Sequence, residues 1–375
     1  MFDALQAIKP RVRELRAYTL SPDRAALKLN QNENPWDTPE RIRLEALRRL
    51  GGRAWSRYPD FVPAGLHERL ASFAGWRADG IVAGNGSNEL IQALLMVTIG
   101  EGKRLLICEP TFALYRQVAI VLGGDVLGVP LDAELKFDVE AIREKIETAR
   151  PDVTIICSPN NPTGCAIPER DLASLLEVSR GLVAIDEAYF EFSGRTAVPL
   201  LEAHKNLVVF RTFSKAMALA ALRVGYLLAA PEVAREIAKA VLPYNLNFVS
   251  QTIAEVAVEL YESELRPLVA RIVEGRAHLL AGLREIEGLV PVASEANFML
   301  VRSAFKPHFI YRQLLERDIL IRDVSGYPLL ADYFRVSVGT PRENAWLLSA
   351  LREICATAQT EGDAANVLKP AGRES

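Results

Sequence analysis

The chain has 375 residues, more than one ordinary core holds, so two domains are the default expectation. Half of the residues are hydrophobic and 24% are charged, a globular composition that excludes disorder and fibrous repeats. A net charge of −3 argues against a nucleic-acid surface, although a small basic pocket can hide inside a near-neutral total.

The N-terminal run MFDALQAIKPRVREL mixes charged and apolar residues and has no signal-peptide core. No stretch of about eighteen apolar residues occurs, so no membrane span is expected. Cys108, Cys157, Cys165 and Cys355 form no CxxC pair, which points to reduced thiols in a cytoplasmic protein. Residues 1–35 read as an extended, proline-punctuated arm that must pack on the body or on a partner subunit.

Short apolar runs follow at 104–108 (RLLIC), 153–157 (VTIIC), 182–185 (LVAI) and 207–210 (LVVF), with helical segments such as 138–148 and 168–179 between them. Continuous apolar strands separated by helices indicate a mostly parallel sheet buried on both faces. An amphipathic helix is expected over 265–285, from Leu265, Leu268, Val269, Ile272, Val273, Leu280 and Leu283 at helical spacing. Beyond it, 297–302, 319–322 and 333–338 read as strands and 308–317 as a helix, making a smaller α+β unit. The expected division is an arm over 1–35, a large domain over 36–265, a small domain over 266–356 and a flexible polar tail over 357–375.

In an open α/β sheet, ligands bind beyond the carboxyl ends of the strands. After RLLIC come Glu109, Pro110, Thr111 and Phe112; after VTIIC comes SPNNPTG (158–164). LVAI is followed by Asp186, Glu187, Ala188 and Tyr189, and LVVF by Arg211, Thr212, Phe213, Ser214 and Lys215. Four strand ends thus offer an aromatic ring, an amide, a carboxylate and a lysine to one crevice.

That set suits pyridoxal phosphate. The cofactor needs a lysine for its Schiff base, an acid to keep the pyridine nitrogen protonated, donors to the ring hydroxyl and a flat group over the ring. Lys215, Asp186, Asn161 with Tyr189, and Phe112 can fill these roles. GNGSNE (84–89) before an apolar helix offers backbone N–H groups to a phosphate, with Ser214 and Arg223 as further donors. Singly these features are weak. A lysine after a strand is usually solvated, an aspartate there often caps a helix, and Asn-Pro-Thr-Gly can be a plain turn. Their order at successive strand ends is the specific signal.

The sequence resembles the class I/II, fold-type I pyridoxal-phosphate aminotransferases, and within them the histidinol-phosphate aminotransferase group. The matching runs are LNQNENP (29–35), YPD (58–60), GNGSNE (84–89), PTF (110–112), SPNNPTG (158–164), DEAY (186–189), TFSKA (212–216), LRVGY (222–226), NF (297–298) and FRVSVGT (334–340). The resemblance spans about Leu29 to Arg342. It implies an α/β large domain with a mostly parallel sheet of the seven-stranded type, plus a smaller α+β domain.

Carried over by position, the resemblance implies that Lys215, Asp186 and Tyr189 are catalytic. It implies that Gly86, Ser87, Asn88, Thr212, Ser214 and Arg223 surround the phosphate, that Asn161 and Tyr189 bond the ring oxygen, and that Phe112 stacks on the ring. Tyr58 would reach the phosphate from the other subunit of a homodimer. Arg335 would clamp a carboxylate, Arg322 would read a distal phosphate or carboxylate, and Tyr18 and Asn32 would close over the substrate. In the strand around Arg335, Phe334, Val336 and Val338 alternate with it, so its side chain points away from their apolar face. Asn88, Ala221 and Trp36 depart from residues common in the family, which leaves substrate preference open.

The implied reaction is transamination of L-histidinol phosphate with 2-oxoglutarate, giving imidazole-acetol phosphate and L-glutamate. Two alternatives share the scaffold: an aromatic amino acid aminotransferase and a threonine-phosphate decarboxylase. Other site classes fail on the residues. GxGxxG would need glycine where Glu89 stands, and Gly102-Lys103 is followed by Arg104 rather than the hydroxyl of a P-loop. His67, His204, His278 and His308 form no metal-ligand motif. No basic helix-turn-helix module fits before residue 36, which argues against a DNA-binding regulator.

Overall fold

The computed structural model describes residues 4–17 and 22–360, with side chains to residue 358. Helix α1 (Pro10–Glu14) and strand β1 (Leu27–Lys28) are followed by α2 (Glu40–Gly51), α3 (Ala64–Ala74) and β2 (Ile81–Gly84). Then come α4 (Ser87–Thr98), β3 (Arg104–Glu109), α5 (Leu114–Leu122), β4 (Asp125–Pro130), α6 (Val139–Ala149), β5 (Val153–Cys157), α7 (Glu169–Val178) and β6 (Leu182–Asp186). The short α8 (Phe190–Ser193) leads to β7 (Leu207–Thr212), β8 (Gly225–Ala229), α9 (Pro231–Ala238) and α10 (Phe248–Glu259).

These strands form one seven-stranded sheet in the order β2-β8-β7-β6-β5-β3-β4, with β8 antiparallel to both of its neighbours and the pairings from β7 to β4 parallel. Its two faces carry separate apolar layers. Val183, Ile185, Leu207 and Val209 pack with Leu172, Leu175 and Leu201 on one face. The intervening Ala184, Val208 and Phe210 pack with Leu90, Leu94 and Tyr115 on the other. Successive side chains alternate across a strand, so a strand covered on both faces has to be apolar throughout. Each fully buried Val, Leu or Ile contributes roughly 1.5–3 kcal/mol over its exposed state.

The second part of the chain runs α11 (Arg266–Arg284), β9 (Leu289–Pro291), β10 (Phe298–Ser303), α12 (Pro307–Leu315), β11 (Ile319–Leu320), β12 (Arg322–Asp323), β13 (Tyr333–Ser337) and α13 (Pro341–Thr360). β12, β13, β10 and β9 make a four-stranded antiparallel sheet. Its core joins Phe298, Phe334 and Val336 to Leu279, Leu283, Leu347 and Leu351, and it also takes in Tyr189, Phe192 and Ala216 from beside the large sheet.

Three expectations need correction. The run 319–322 is not one strand: Ile319 and Leu320 pair in parallel with Leu27 and Lys28, whereas Arg322 and Asp323 pair with β13. The partner changes within the run: Ile319 and Leu320 take β1 as their neighbour, and after Ile321 the chain passes to the edge of the small sheet. The arm is not extended throughout. It contains α1, which lies against α5, with Lys9 Nζ donating to Val121 O at 2.9 Å and Arg11 paired with Asp125 at 3.2 Å. The tail expected from Thr357 begins inside α13, which runs to Thr360, and the remainder lies outside the described residues.

Candidate active site

A cavity of about 360 Å³ opens at the carboxyl edge of the large sheet, between it, the 30–32 segment and the small sheet. Its wall includes Ser87, Asn88, Phe112, Asn161, Asp186, Tyr189, Thr212, Ser214, Lys215 and Arg223 from the large sheet's side. Asn32, Arg322 and Arg335 complete it from the other side. Among the wall residues, Lys215 and three arginines face the single carboxylate of Asp186, so the pocket is built for anions.

The parallel sheet supplies the spacing. Asp186 ends β6 in direct register with Cys157 on β5 and with Phe210 on β7. Its Oδ1 accepts the N–H of Ala188 at 3.1 Å and its Oδ2 accepts the hydroxyl of Tyr115 at 2.6 Å. Burial pushes the Asp186 carboxyl above its ordinary range, and these two hydrogen bonds pull it back toward the anion. Lys215 follows β7, and its Nζ donates to Gln31 O at 2.8 Å. Loss of surrounding water, followed by repulsion from Arg335, lowers its ammonium to about 8. An amine held near neutrality at that pH can act as nucleophile and as base.

The anion corner forms where β2 hands over to α4. Gly86 precedes α4 with φ of +83°, a backbone region that favours glycine, and a Cβ there would lie 2.7 Å from Arg223 Nη2. A Cβ on Gly225 would lie 2.3 Å from Ser87 N. The two glycines therefore let Arg223 close on the first turn of α4, where backbone N–H groups lack intrahelical partners. Arg223 Nη1 donates to Ser214 Oγ at 3.1 Å, and Thr212 Oγ1 lies 3.1 Å from the same oxygen. Gly86 stands behind this wall and shapes it.

The opposite wall holds two arginines in direct register, Arg322 on β12 against Arg335 on β13. Arg335 is buried. It donates to Asn30 O at 2.8 Å and, through Nη1, to Asn161 Oδ1. The Arg322 side chain makes no hydrogen bond or ion pair among the described residues, which leaves its fork available to a ligand. Asn32 has φ of +56° and is held on three sides: its N–H donates to Ser337 Oγ, its Nδ2 to Tyr189 Oη at 3.1 Å, and its carbonyl accepts from Asn297.

Two residues expected at the site are not placed there within one chain. Tyr58 is 81% exposed and stacks on Tyr244 with ring centroids 4.5 Å apart, away from the cavity wall. Tyr18 lies outside the described residues. Conversely, sequence reasoning missed Asn30, Gln31, Tyr115, Cys157, Ala188, Val324 and Tyr327, all in the wall. Asn30 and Gln31 sat inside the LNQNENP run. Cys157 was the last residue of its strand. Tyr115, three residues after Phe112 on α5, gave no signal beyond its apolar surroundings.

An open parallel sheet whose carboxyl edge presents a lysine beside a buried carboxylate and a glycine-shaped anion corner is the layout of a fold-type I transferase. The chain belongs to the aminotransferase class I and II family, which its residues 24–351 match. A relative named histidinol-phosphate aminotransferase, from Chlorobium phaeovibrioides, is 38% identical over 94% of this chain and 98% of its own length. Among solved structures, the histidinol-phosphate aminotransferase of Clostridium acetobutylicum superposes with a TM-score of 0.81 at 26% identity, covering 88% of this chain and 99% of that one. The histidinol-phosphate aminotransferase of Sinorhizobium meliloti, solved in complex with pyridoxal-5'-phosphate, has the same fold at 23% identity, with a TM-score of 0.84 over 94% of this chain and 99% of that one.

Proposed function

We propose that the protein is a pyridoxal-phosphate-dependent transaminase that exchanges an amino group between L-histidinol phosphate and 2-oxoglutarate, in histidine biosynthesis. The observation that carries this reading is the facing pair Arg322 and Arg335 across the cavity from Lys215 and Asp186. The relatives' names support it independently.

The residues present fit the cofactor. Lys215 would anchor it covalently, Asp186 would pair with the ring nitrogen, and Asn161 and Tyr189 would bond the ring oxygen. Phe112 would lie on the ring face, and Ser87, Asn88, Thr212, Ser214 and Arg223 would hold the phosphate at the corner that the two glycines leave open. When bound, the cofactor supplies a protonated ring that takes up the electron pair left when a bond at the substrate carbon breaks.

The chain's own residues supply the rest. Lys215 Nζ moves the proton at the substrate carbon, and an ammonium near 8 lets it both take and return that proton close to neutral pH. Arg335 reads the α-carboxylate of glutamate. Arg322 reads the distal group, carboxylate or phosphate, because a guanidinium forks onto either anion. Asn32 and Tyr189 close the wall between them. We assign the arm to residues 1–35, the large domain to 36–265 and the small domain to 266–356.

The reading includes a homodimer in the cytoplasm. Trp55, Tyr58, Phe61 and Leu242 are each more than 60% exposed, an apolar patch suited to a second copy, and Tyr58 would reach the partner's phosphate corner. Mixing Tyr58→Ala with Lys215→Ala tests this, since one site of each hybrid is then native. Activity recovered on mixing supports the shared site, and its absence in demonstrated heterodimers refutes it.

Glutamate formation from histidinol phosphate, phenylalanine and tyrosine, followed beside carbon dioxide release from phosphothreonine, tests the substrate. Fastest turnover of histidinol phosphate is expected. Preference for an aromatic amino acid, or release of carbon dioxide, would replace the reading with one of the two alternatives.

A further inference from the structure

Asp186 is held unevenly. One carboxylate oxygen is fixed by the backbone of Ala188, two residues away. The other is met by the hydroxyl of Tyr115, 71 residues earlier in the chain, at 2.6 Å. Tyr115 is fully buried among Leu90, Leu94 and Phe210, so its hydroxyl has no water to exchange with. The Cys157 thiol, next to the phenol, directs its own hydrogen bond to Pro159 O at 3.4 Å. The phenol donates to Asp186 Oδ2 with Cys157 Sγ as a weaker neighbour, and burial keeps the phenol protonated. The same ring meets Phe112 edge-on, with centroids 5.6 Å apart and planes at 86°. One side chain thus braces both the carboxylate and the aromatic face of the cavity.

We infer that Tyr115 is a positioning residue for the cofactor. Its hydroxyl fixes the rotation of the Asp186 carboxylate and keeps that group an anion opposite the ring nitrogen, while its ring sets the tilt of Phe112. The inference rests on the cofactor reading above and adds a residue to it. A carboxylate deprived of a buried donor gains proton affinity, so without the phenol the proton shared with the ring nitrogen moves toward Asp186.

Tyr115→Phe removes the hydroxyl and keeps the ring, so the fold and the Phe112 contact persist. Three measurements on the purified protein loaded with pyridoxal phosphate read the outcome. The ring-nitrogen 15N resonance of labelled cofactor moves toward the unprotonated value. Cofactor dissociation quickens roughly tenfold, the scale of a hydrogen bond to a charged group. In an Asp186→Asn background the same substitution changes dissociation by less than about twofold, because its effect passes through the carboxylate. An unmoved 15N resonance, or an equal acceleration in both backgrounds, overturns the inference. A wild-type protein that takes up no pyridoxal phosphate would instead overturn the site reading itself, which separates the two failures.

Discussion

The two walls of the cavity are built on different principles. On the large sheet's side, Asp186, Thr212, Asn161, Tyr189 and Lys215 hang from the ends of buried strands or the turns after them, while Ser87 and Asn88 open α4 and Arg223 stands just before β8. Asp186 closes β6, Thr212 closes β7, and Lys215 follows three residues later. Register fixes their separation, and apolar layers on both faces hold the register. On the other side, Asn30, Asn32, Arg322 and Arg335 come from an arm segment and two short strands. They are tied by side-chain hydrogen bonds between distant segments, such as Arg335 to Asn30 and to Asn161, and Asn32 to Ser337 and to Tyr189. The backbone of the first wall lies between two apolar layers. The second is an assembly of separate pieces, which suits a surface that must accept two different substrates in turn.

That contrast predicts how each wall fails. Lys215→Ala has the largest expected effect, loss of the cofactor's protein-bound visible absorption together with turnover. A variant that kept both after dialysis would place the covalent anchor elsewhere. Asp186→Asn is isosteric and leaves the sheet intact, so cofactor stays bound while turnover falls by about 10²–10⁴-fold, the range of acid–base contributions. Near-native turnover at full occupancy would remove the carboxylate from the mechanism.

A smaller effect concerns pH. The neutral amine of Lys215 is the form that captures cofactor, and its ammonium is lowered to about 8. The rate of cofactor uptake by the cofactor-free protein should therefore rise about tenfold per pH unit below 8 and level off above it. A rise continuing toward the ordinary lysine value would show that the cavity does not perturb this amine.

The same contrast explains what was legible in the sequence. The large-sheet wall could be read because its strands are continuous apolar runs and the residue after each run is forced to the carboxyl edge. Phe112, Asn161, Asp186, Tyr189 and Lys215 all line the cavity. The turn into α4 was legible through the glycines of GNGSNE, since Gly86 occupies a backbone region that other residues avoid. The small-sheet wall was legible only in part. Arg335 stood out from alternation with Phe334 and Val336, but 319–322 was read as one strand where the chain changes sheets after Leu320. Local periodicity carries no record of which partner a short strand will find. Tyr115 was missed for a related reason. Its hydroxyl partner lies 71 residues away, and from the sequence it is one more large side chain on the packed face of a helix.

The division of labour between the walls is tested most directly by separate half-reactions of Arg322→Leu and Arg335→Leu, followed through the spectrum of bound cofactor with glutamate, histidinol phosphate and phenylalanine. Losing a charged hydrogen-bond partner typically costs about 1.5–3 kcal/mol, roughly ten- to a hundredfold. Arg335→Leu should slow glutamate by that factor and spare histidinol phosphate, which has no α-carboxylate. Arg322→Leu should slow histidinol phosphate and glutamate and leave phenylalanine nearly unchanged, because phenylalanine carries no distal anion. If Arg322→Leu slowed all three substrates equally, the residue would be supporting the fold or the cofactor, and the small-sheet wall would not be the substrate-reading surface.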